Sequence, residues 1–389
     1  MKAISFGSFI EEKPLYYKEI DHERIHIAYD LLKSHIKHPK TIHIVGTNGK
    51  GSTGRMVAHL AYHGGMSVGH FSSPHILKFN ERIWVDGVDS SDETLEVAHQ
   101  KLYHIIGSKM SDSLSYFEYT TLLALVVFED LDLIVLEAGL GGEYDATNVV
   151  DKELSIITPI GIDHQAFLGD TIEEIATTKI RSIEERVLLS PQVYPEVVDI
   201  AHQITHLKGA KLYLSSNQPS IHRDDIKDIA REKKWGGYLI ENATVATQAL
   251  DILSIDYKVS SLRSVVLFGR YYPIAPNIRI DVGHNPLAAK ALADSLEGSV
   301  VLIYNSLDDK DYRAVLEILK PMVESIEIIP IASQRATTIG KIEESADTLG
   351  LKHSIFDGYI DSDKDYLVFG SFYTVEAFLD IYSHISTNM

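Results

Sequence analysis

The stretch TIHIVGTNGKGSTGRMVAHL, from Thr41 to Leu60, holds the residues best suited to phosphate chemistry. Gly46, Gly49 and Gly51 free the backbone to curl around a close-packed anion with no Cβ in the way. Lys50 adds a full positive charge, and Ser52 or Thr53 a hydroxyl for a phosphate-bound Mg2+. The spacing departs from G-x-x-x-x-G-K-[ST]: only Thr47 and Asn48 separate Gly46 from Gly49, and Gly51 stands between Lys50 and Ser52. The alternative is a tight strand-to-helix turn that happens to contain a lysine.

Two further groups lie at the ends of apolar strands, and a third near the end of a helix. In LDLIVLEAGLGGEYDATN a continuous apolar strand ends at Glu137 and runs into three glycines, a position from which a carboxylate can hold Mg2+ beside a phosphate loop. In ITPIGIDHQAFLGDTIEEIATTKI, Asp163 and His164 follow a strand, and Asp170-Thr171 with Glu173 and Glu174 marks a helix start. Imidazole is an unusual partner for Mg2+, so residue type alone makes His164 an ordinary loop histidine. On the same basis Lys179, near the end of the following helix, compensates the dipole at its C-terminus.

The elements that must position these groups alternate between strand and helix. Ile42, Ile44 and Val45 form a short β-branched strand, and Ser52 and Thr53 start a helix whose Met56, Val57 and Leu60 recur at helical spacing. SVGHF, LDLIVLEA and LSIITPI read as further strands, with helices predicted at about 92–106 and 117–129. This alternation indicates βαβ units and a largely parallel sheet. Residues 190–250 are more polar and read as mostly helical. A Ser pair, a Gly and two prolines between Asp256 and Asn277 mark a boundary. Beyond it NIRIDV, SVVLIYN, SIEIIPI and DYLVFGS alternate with helical stretches from about Asn285, Asp311, Lys341 and Tyr373, a second doubly wound α/β unit.

Composition narrows the function. A chain of 389 residues is long for one core. Its formal net charge of -19 disfavours a nucleic-acid motor or an anionic-membrane surface. There is no cysteine, which removes disulfides and thiolate chemistry. The longest apolar run, LLALVVF, is too short for a membrane span, and Glu11, Glu12 and Lys13 interrupt the N-terminal stretch too early for a secretory signal. A cytoplasmic enzyme is expected.

Taken together, these motifs resemble those of the folylpolyglutamate synthase and dihydrofolate synthase family, a branch of the ATP-dependent Mur-ligase-like amide ligases. HIVGTNGKGST resembles the family's glycine loop and FSSPHILKFNERI its second signature. LEAGLGGEYDATN, ITPIGIDHQAFLGDTIEEIATTK and IDVGHNPLAAKAL match three more in the family's order, with weaker echoes in LFGRYYP, ENATVATQAL and LVFGSFYTV. The resemblance implies an α/β protein with two domains. The first, over residues 1–262, is a P-loop-type ATPase domain with a mostly parallel sheet; the second, over 263–389, is a smaller Rossmann-like domain of the glutamate-ligase type.

It also implies roles. Lys50 and the loop formed by Gly46, Thr47, Asn48, Gly49, Gly51 and Ser52 would hold the ATP phosphates. Ser52, Ser73, Glu137 and His164 would surround Mg2+, with K+ as an activator. Lys179 matches a lysine that is commonly carbamylated in this family. Asn242 and Arg270 would reach the nucleotide, Asp281 and His284 of the second domain would complete its site, and Phe117 and Asp145 would line the pterin side.

The implied reaction converts a carboxylate into an acyl phosphate, which the amine of L-glutamate then attacks. His75 in SSPH and Asp145 in YDATN resemble the bifunctional bacterial members, which use dihydropteroate and then extend reduced folates through the γ-carboxylate. Asp145 alternatively forms an Asx-type turn. The segment IRSIEERVLLSPQ after Lys179 departs from the family's pattern and the region beyond it is short, and ENATVATQAL lacks the usual His-Gln before its asparagine. Long polyglutamate chains are therefore expected to form poorly. Three alternatives compete: a folylpolyglutamate synthase alone, a cell-wall Mur ligase, and a nucleotide-binding regulatory protein without turnover. Mur ligases place threonine directly after the loop lysine, where this chain has Gly51. The partners expected are small molecules, without nucleic acid or membrane, for a monomer.

Overall fold

The computed structural model describes residues 4–14 and 21–386. Of the N-terminal stretch, Phe6–Glu11 forms a helix, and residues 1–3 and 15–20 lie outside the described residues. The chain divides into two compact units, Met1–Ile226 with Glu241–Val265, and Lys227–Ile240 with Val266–Met389.

The first unit is built on an eight-stranded sheet. Its strands are β1 (Lys40–Val45), β2 (Val68–Phe71), β3 (Ile83–Val85), β4 (Val88–Asp89), β5 (Leu133–Glu137), β6 (Leu154–Ile157), β7 (Arg186–Leu189) and β8 (Lys211–Leu214). They lie in the order β4-β3-β2-β5-β1-β6-β7-β8, parallel from β2 to β8. All five residues of β5 and the last five of β1 are buried, as expected of strands covered by helices on both faces. The antiparallel pair β3–β4 turns through Asp86 and Gly87, both at positive φ (46° and 104°), the geometry of a two-residue hairpin loop.

Chain order reverses around β1 and β5. From β1 the chain crosses to β2 on one side, and from β5 it crosses to β6 on the other. In open parallel sheets this is where the carboxyl ends of the strands leave a crevice for ligands. The helix after β1 spans Lys50–His63, at least three residues earlier than the N-cap signals at Ser52 and Thr53 suggest. Gly49 takes the N-cap position at φ 84°, a left-handed conformation that glycine adopts without strain. The stretch read as mostly helical also contains β8, a short edge strand whose Leu212, Tyr213 and Leu214 are only half-buried.

The second unit has six strands, β9 (Tyr272–Ala275), β10 (Ile278–Asp281), β11 (Val300–Tyr304), β12 (Val323–Ile328), β13 (Lys352–Ile355) and β14 (Tyr366–Phe369). Their order is β13-β12-β11-β14-β10-β9, all parallel except β9. Leu302, Tyr304, Ile326, Ile328 and Phe369 of the central strands pack with Val315, Leu316, Leu319 and Ile342 of the helices in one apolar core. Lys227–Ile240 clusters with this unit, tied to it by the Tyr238 hydroxyl, which donates to Asp281 at 2.8 Å.

Candidate active site

The strand ends of the first unit converge. Ile44 of β1 pairs with Glu137 of β5, so the glycine loop and the carboxylate leave the sheet side by side. Glu137 is buried, and its Oε2 accepts the Ser73 N–H at 3.3 Å, bringing in the loop that follows β2. The N–H groups of Thr47 and Asn48 donate to the Pro159 carbonyl at 3.0 and 3.1 Å. Those bonds anchor the loop to the segment beyond β6. The first N–H groups of the Lys50–His63 helix have no acceptor within an α-helix, so these, from Lys50 onward, are the ones an anion at this helix end could meet. Gly46 admits no side chain: a Cβ there would lie 2.0 Å from Thr158 Oγ1. Asn242 closes the loop from the other side, donating to Ser52 Oγ at 2.8 Å, and a Cβ on Gly49 would sit 3.0 Å from its Oδ1.

Two ammonium groups share one carbonyl. Lys50 Nζ donates to Gly46 O at 3.2 Å and to Thr47 O at 3.3 Å, and Lys179 Nζ donates to the same Gly46 O at 2.9 Å. Lys179 is buried at 4% exposure. Burial, reinforced by the Lys50 charge and opposed by Asp163 and Asp145, pushes its amine down to about 7. Lys179 does lie in the last turn of Ile172–Ile180, but its side chain runs into the site rather than serving that helix's own terminus.

His164 stands at the start of Gln165–Leu168 with φ 55°, an uncommon conformation for a residue with a side chain. Its N–H donates to Asp163 Oδ1 at 2.8 Å, and its ring lies 3.9 Å from the same oxygen.

On the far side of Glu137, Phe117 and Asp145 flank the loop after β5. A Cβ on Gly139 would be 2.6 Å from Phe117 Cζ, so the ring packs directly on that glycine. Asp145 is buried and accepts the Leu140 N–H at 2.8 Å, the Thr147 N–H at 3.0 Å and the Thr147 hydroxyl at 2.6 Å. The Thr147 N–H contact is the Asx-type turn that YDATN suggests. His75 accepts at Nδ1 from Arg82 Nε at 2.7 Å; burial, then the Arg82 charge, hold its imidazole down at about 4. The Arg82 guanidinium in turn lies over the Tyr116 ring at 5.1 Å.

In the second unit, Asp281 ends β10 and accepts from the Tyr238 hydroxyl, the Tyr271 N–H at 2.9 Å and the Gly283 N–H at 2.8 Å, and burial raises its carboxyl above the usual range. Arg270 lies over the Phe372 ring at 5.3 Å, and its charge acts on Asp281. His284 Nδ1 lies 3.2 Å from Val282 O. These three residues form a group within their own unit.

Sequence reasoning passes over Arg55, whose guanidinium lies 4.8 Å above the Trp84 ring. Burial lowers it to about 10, while Asp89, Glu137 and Glu81 stabilise its charge. Its position three residues after Ser52, on the same helix face, is the signal that could have found it. Asp163 stands out in the sequence beside His164, but residue type alone gives it no part in the site.

Among the described residues no group of three or more His, Asp or Glu side chains is placed to hold a metal. Mg2+ keeps waters and takes one or two protein oxygens together with substrate phosphates. The Glu137 carboxylate and the Ser52 hydroxyl are donors of this hard type.

A glycine loop at a helix N-terminus, a loop lysine and a strand-end carboxylate on this fold define the class of a nucleotide-phosphate-binding α/β protein. No family model matches the chain. It is 33% identical to the dihydrofolate synthase/folylpolyglutamate synthase of Haemophilus influenzae, with 87% of this chain and 88% of the relative covered. A crystal structure of Helicobacter pylori folylpolyglutamate synthetase aligns with a TM-score of 0.78 at 37% identity, covering 97% of this chain and 98% of that one. Escherichia coli FolC in complex with DHPP and ADP aligns with a TM-score of 0.81 at 27% identity, covering 97% of each chain. The chain belongs to the dihydrofolate synthase/folylpolyglutamate synthase family.

Proposed function

We propose that this chain uses ATP to join L-glutamate to dihydropteroate and to the γ-carboxylate of reduced folates. The observation that carries this reading is the meeting of the glycine loop, Lys50 and the buried Glu137 carboxylate at the paired ends of β1 and β5. It supports phosphoryl transfer from a nucleotide to a carboxylate acceptor.

The acceptor carboxylate oxygen attacks the γ-phosphorus of ATP, the bond to the β–γ bridging oxygen breaks, and ADP leaves. The glutamate amine then attacks the acyl carbon, the bond to the phosphate oxygen breaks, and inorganic phosphate leaves as the amine loses its proton. Lys50 holds the charge on the transferring group, exchanging its contacts with Gly46 O and Thr47 O for phosphate oxygens. The first-turn N–H groups orient the phosphates. Glu137 and Ser52, with Ser73 and His164 nearby, would hold Mg2+, which would supply charge neutralisation there. Burial leaves Lys179 as a largely neutral amine above pH 7, open to CO2, and a carbamate there would replace a neutral group by an anion beside the metal.

The first unit is the ATP-binding, Mur-ligase central-type domain and the second the glutamate-ligase-type domain, with Asn242, Arg270, Asp281 and His284 serving the nucleotide. The enzyme is a cytoplasmic monomer acting on small molecules and not on nucleic acid or membrane; no described helix is long and apolar enough to cross one.

Parallel assays with dihydropteroate, tetrahydrofolate and its diglutamate, each with ATP, Mg2+ and glutamate, test the reading. Turnover is expected with all three, weakest with the diglutamate. Turnover with the folates and none with dihydropteroate would leave a folylpolyglutamate synthase alone.

A further inference from the structure

Asp145 receives donors on both carboxylate oxygens, and one of those donors is itself held from the sheet. The Thr147 hydroxyl gives its single proton to Asp145 Oδ1 at 2.6 Å. It also lies 2.8 Å from His43 Nε2. A hydroxyl that has donated its proton can only accept, so His43 carries its proton on Nε2. Nδ1 is then the bare nitrogen, and it is buried without a hydrogen-bond partner. His43 and Thr147 are both fully buried, and burial with the nearby Lys152 charge holds the imidazole well below its ordinary range, so this donor is neutral and fixed.

His43 belongs to β1, three residues before Gly46. It therefore ties the strand that feeds the phosphate loop to the loop after β5. That second loop has little freedom elsewhere. A Cβ on Gly139 would meet Phe117, a Cβ on Gly142 would lie 2.5 Å from Lys179 O, and Leu140 N–H is spent on Asp145 Oδ2. A core imidazole with one nitrogen unsatisfied costs stability. Its remaining bond is directed at the one hydroxyl that orients Asp145.

We propose that His43 is a positioning residue for the acceptor side of the site: its Nε2–H holds the Thr147 hydroxyl, and Thr147 holds Asp145 and the 139–145 loop against Phe117. This rests on the proposal that the loop faces the acceptor.

The test compares His43→Leu and Thr147→Val, which break the chain of bonds, with His43→Gln and Thr147→Ser, which preserve it, since a glutamine Nε2 can stand where the imidazole Nε2–H stood. KM for dihydropteroate and for ATP is measured for each, with a thermal melt. Loss of the linked bonds should raise the dihydropteroate KM about tenfold, leave the ATP KM within about twofold, and be reversed by the conservative pair. If all four variants keep the parent's dihydropteroate KM, or if both KM values rise together, His43 is only a core residue. Should His43→Leu fail to fold, His43→Met, which also lacks a donor, takes its place beside the contrast between Thr147→Val and Thr147→Ser. Failure of the acceptor reading is distinguishable, because the parent enzyme itself would then show no turnover with dihydropteroate.

Discussion

Lys179 offers the sharpest test of the electrostatics. Its amine lies at about 7 in the folded protein against an ordinary 10.5, a difference of on the order of 5 kcal/mol between its two protonation states. The folded pKa is the lower one, so the unfolded chain binds more protons between the two values. The destabilisation is therefore present in full below pH 7 and is relieved as pH rises from 7 towards 10.5. Between pH 6 and pH 9 the relief amounts to about 3 kcal/mol. Lys179→Met removes the buried charge at similar volume and should remove that slope. The assay is urea unfolding in CO2-free buffer, parent against variant, followed by Trp84 fluorescence in a Trp235→Phe background, so that only the first unit reports. At pH 8 the neutral fraction is roughly nine-tenths, against roughly three-thousandths for an ordinary lysine, a gain of about 300-fold in the form that reacts with CO2. Isotope-labelled bicarbonate should accordingly give a carbamate resonance that Lys179→Ala lacks, and a short carboxylate should partly restore that variant's activity. Parallel pH profiles for parent and Lys179→Met, with no carbamate resonance, would refute the reasoning.

Two further outcomes concern the phosphate loop and the metal. Lys50→Ala should lower glutamate-dependent ADP formation by about a hundredfold to a thousandfold at an unchanged melting temperature, because Lys50 contacts only loop carbonyls; turnover within a few-fold of the parent would reduce the loop to a turn. Glu137→Gln should raise the Mg2+ concentration needed for half-maximal rate, and a normal magnesium titration would count against the strand-end assignment.

The parts of this structure that are legible in the sequence are those written locally. β-branched residues before Gly46, a glycine loop and a helical repeat after it are within one short window, and so are the apolar run that ends at Glu137 and the Thr171 capping box. N-cap preference at Ser52 and Thr53 places the helix start at least three residues too late, because it overlooks the glycine at 49. The cap is a backbone device here, set by φ 84° and not by a side-chain oxygen. The edge strands β4, β8, β9 and β13, and β3 next to the edge, are short, and their pattern is too weak to stand out from loop.

The features that the sequence hides are decided by partners distant along the chain. The last turn of a helix is where a lysine ordinarily serves the dipole, and without the family resemblance neither the residue type nor the position of Lys179 says otherwise. Its Nζ is instead bound to a carbonyl 133 residues away, and that burial, not residue type, shifts its chemistry. Asn242 reaches Ser52 across 190 residues in the same way, and His43 reaches Thr147 across 104. His43 illustrates why: within TIHIVG it occupies an alternate position of a strand and reads as a polar break in an apolar run. Only when the sheet places β1 beside β5 does its hydrogen bond to Thr147 connect it to Asp145. Sequence periodicity specifies which strand a residue lies on and leaves open which loop its side chain meets. In a parallel sheet, where neighbours in space are separated by whole crossovers, the site is assembled from those meetings.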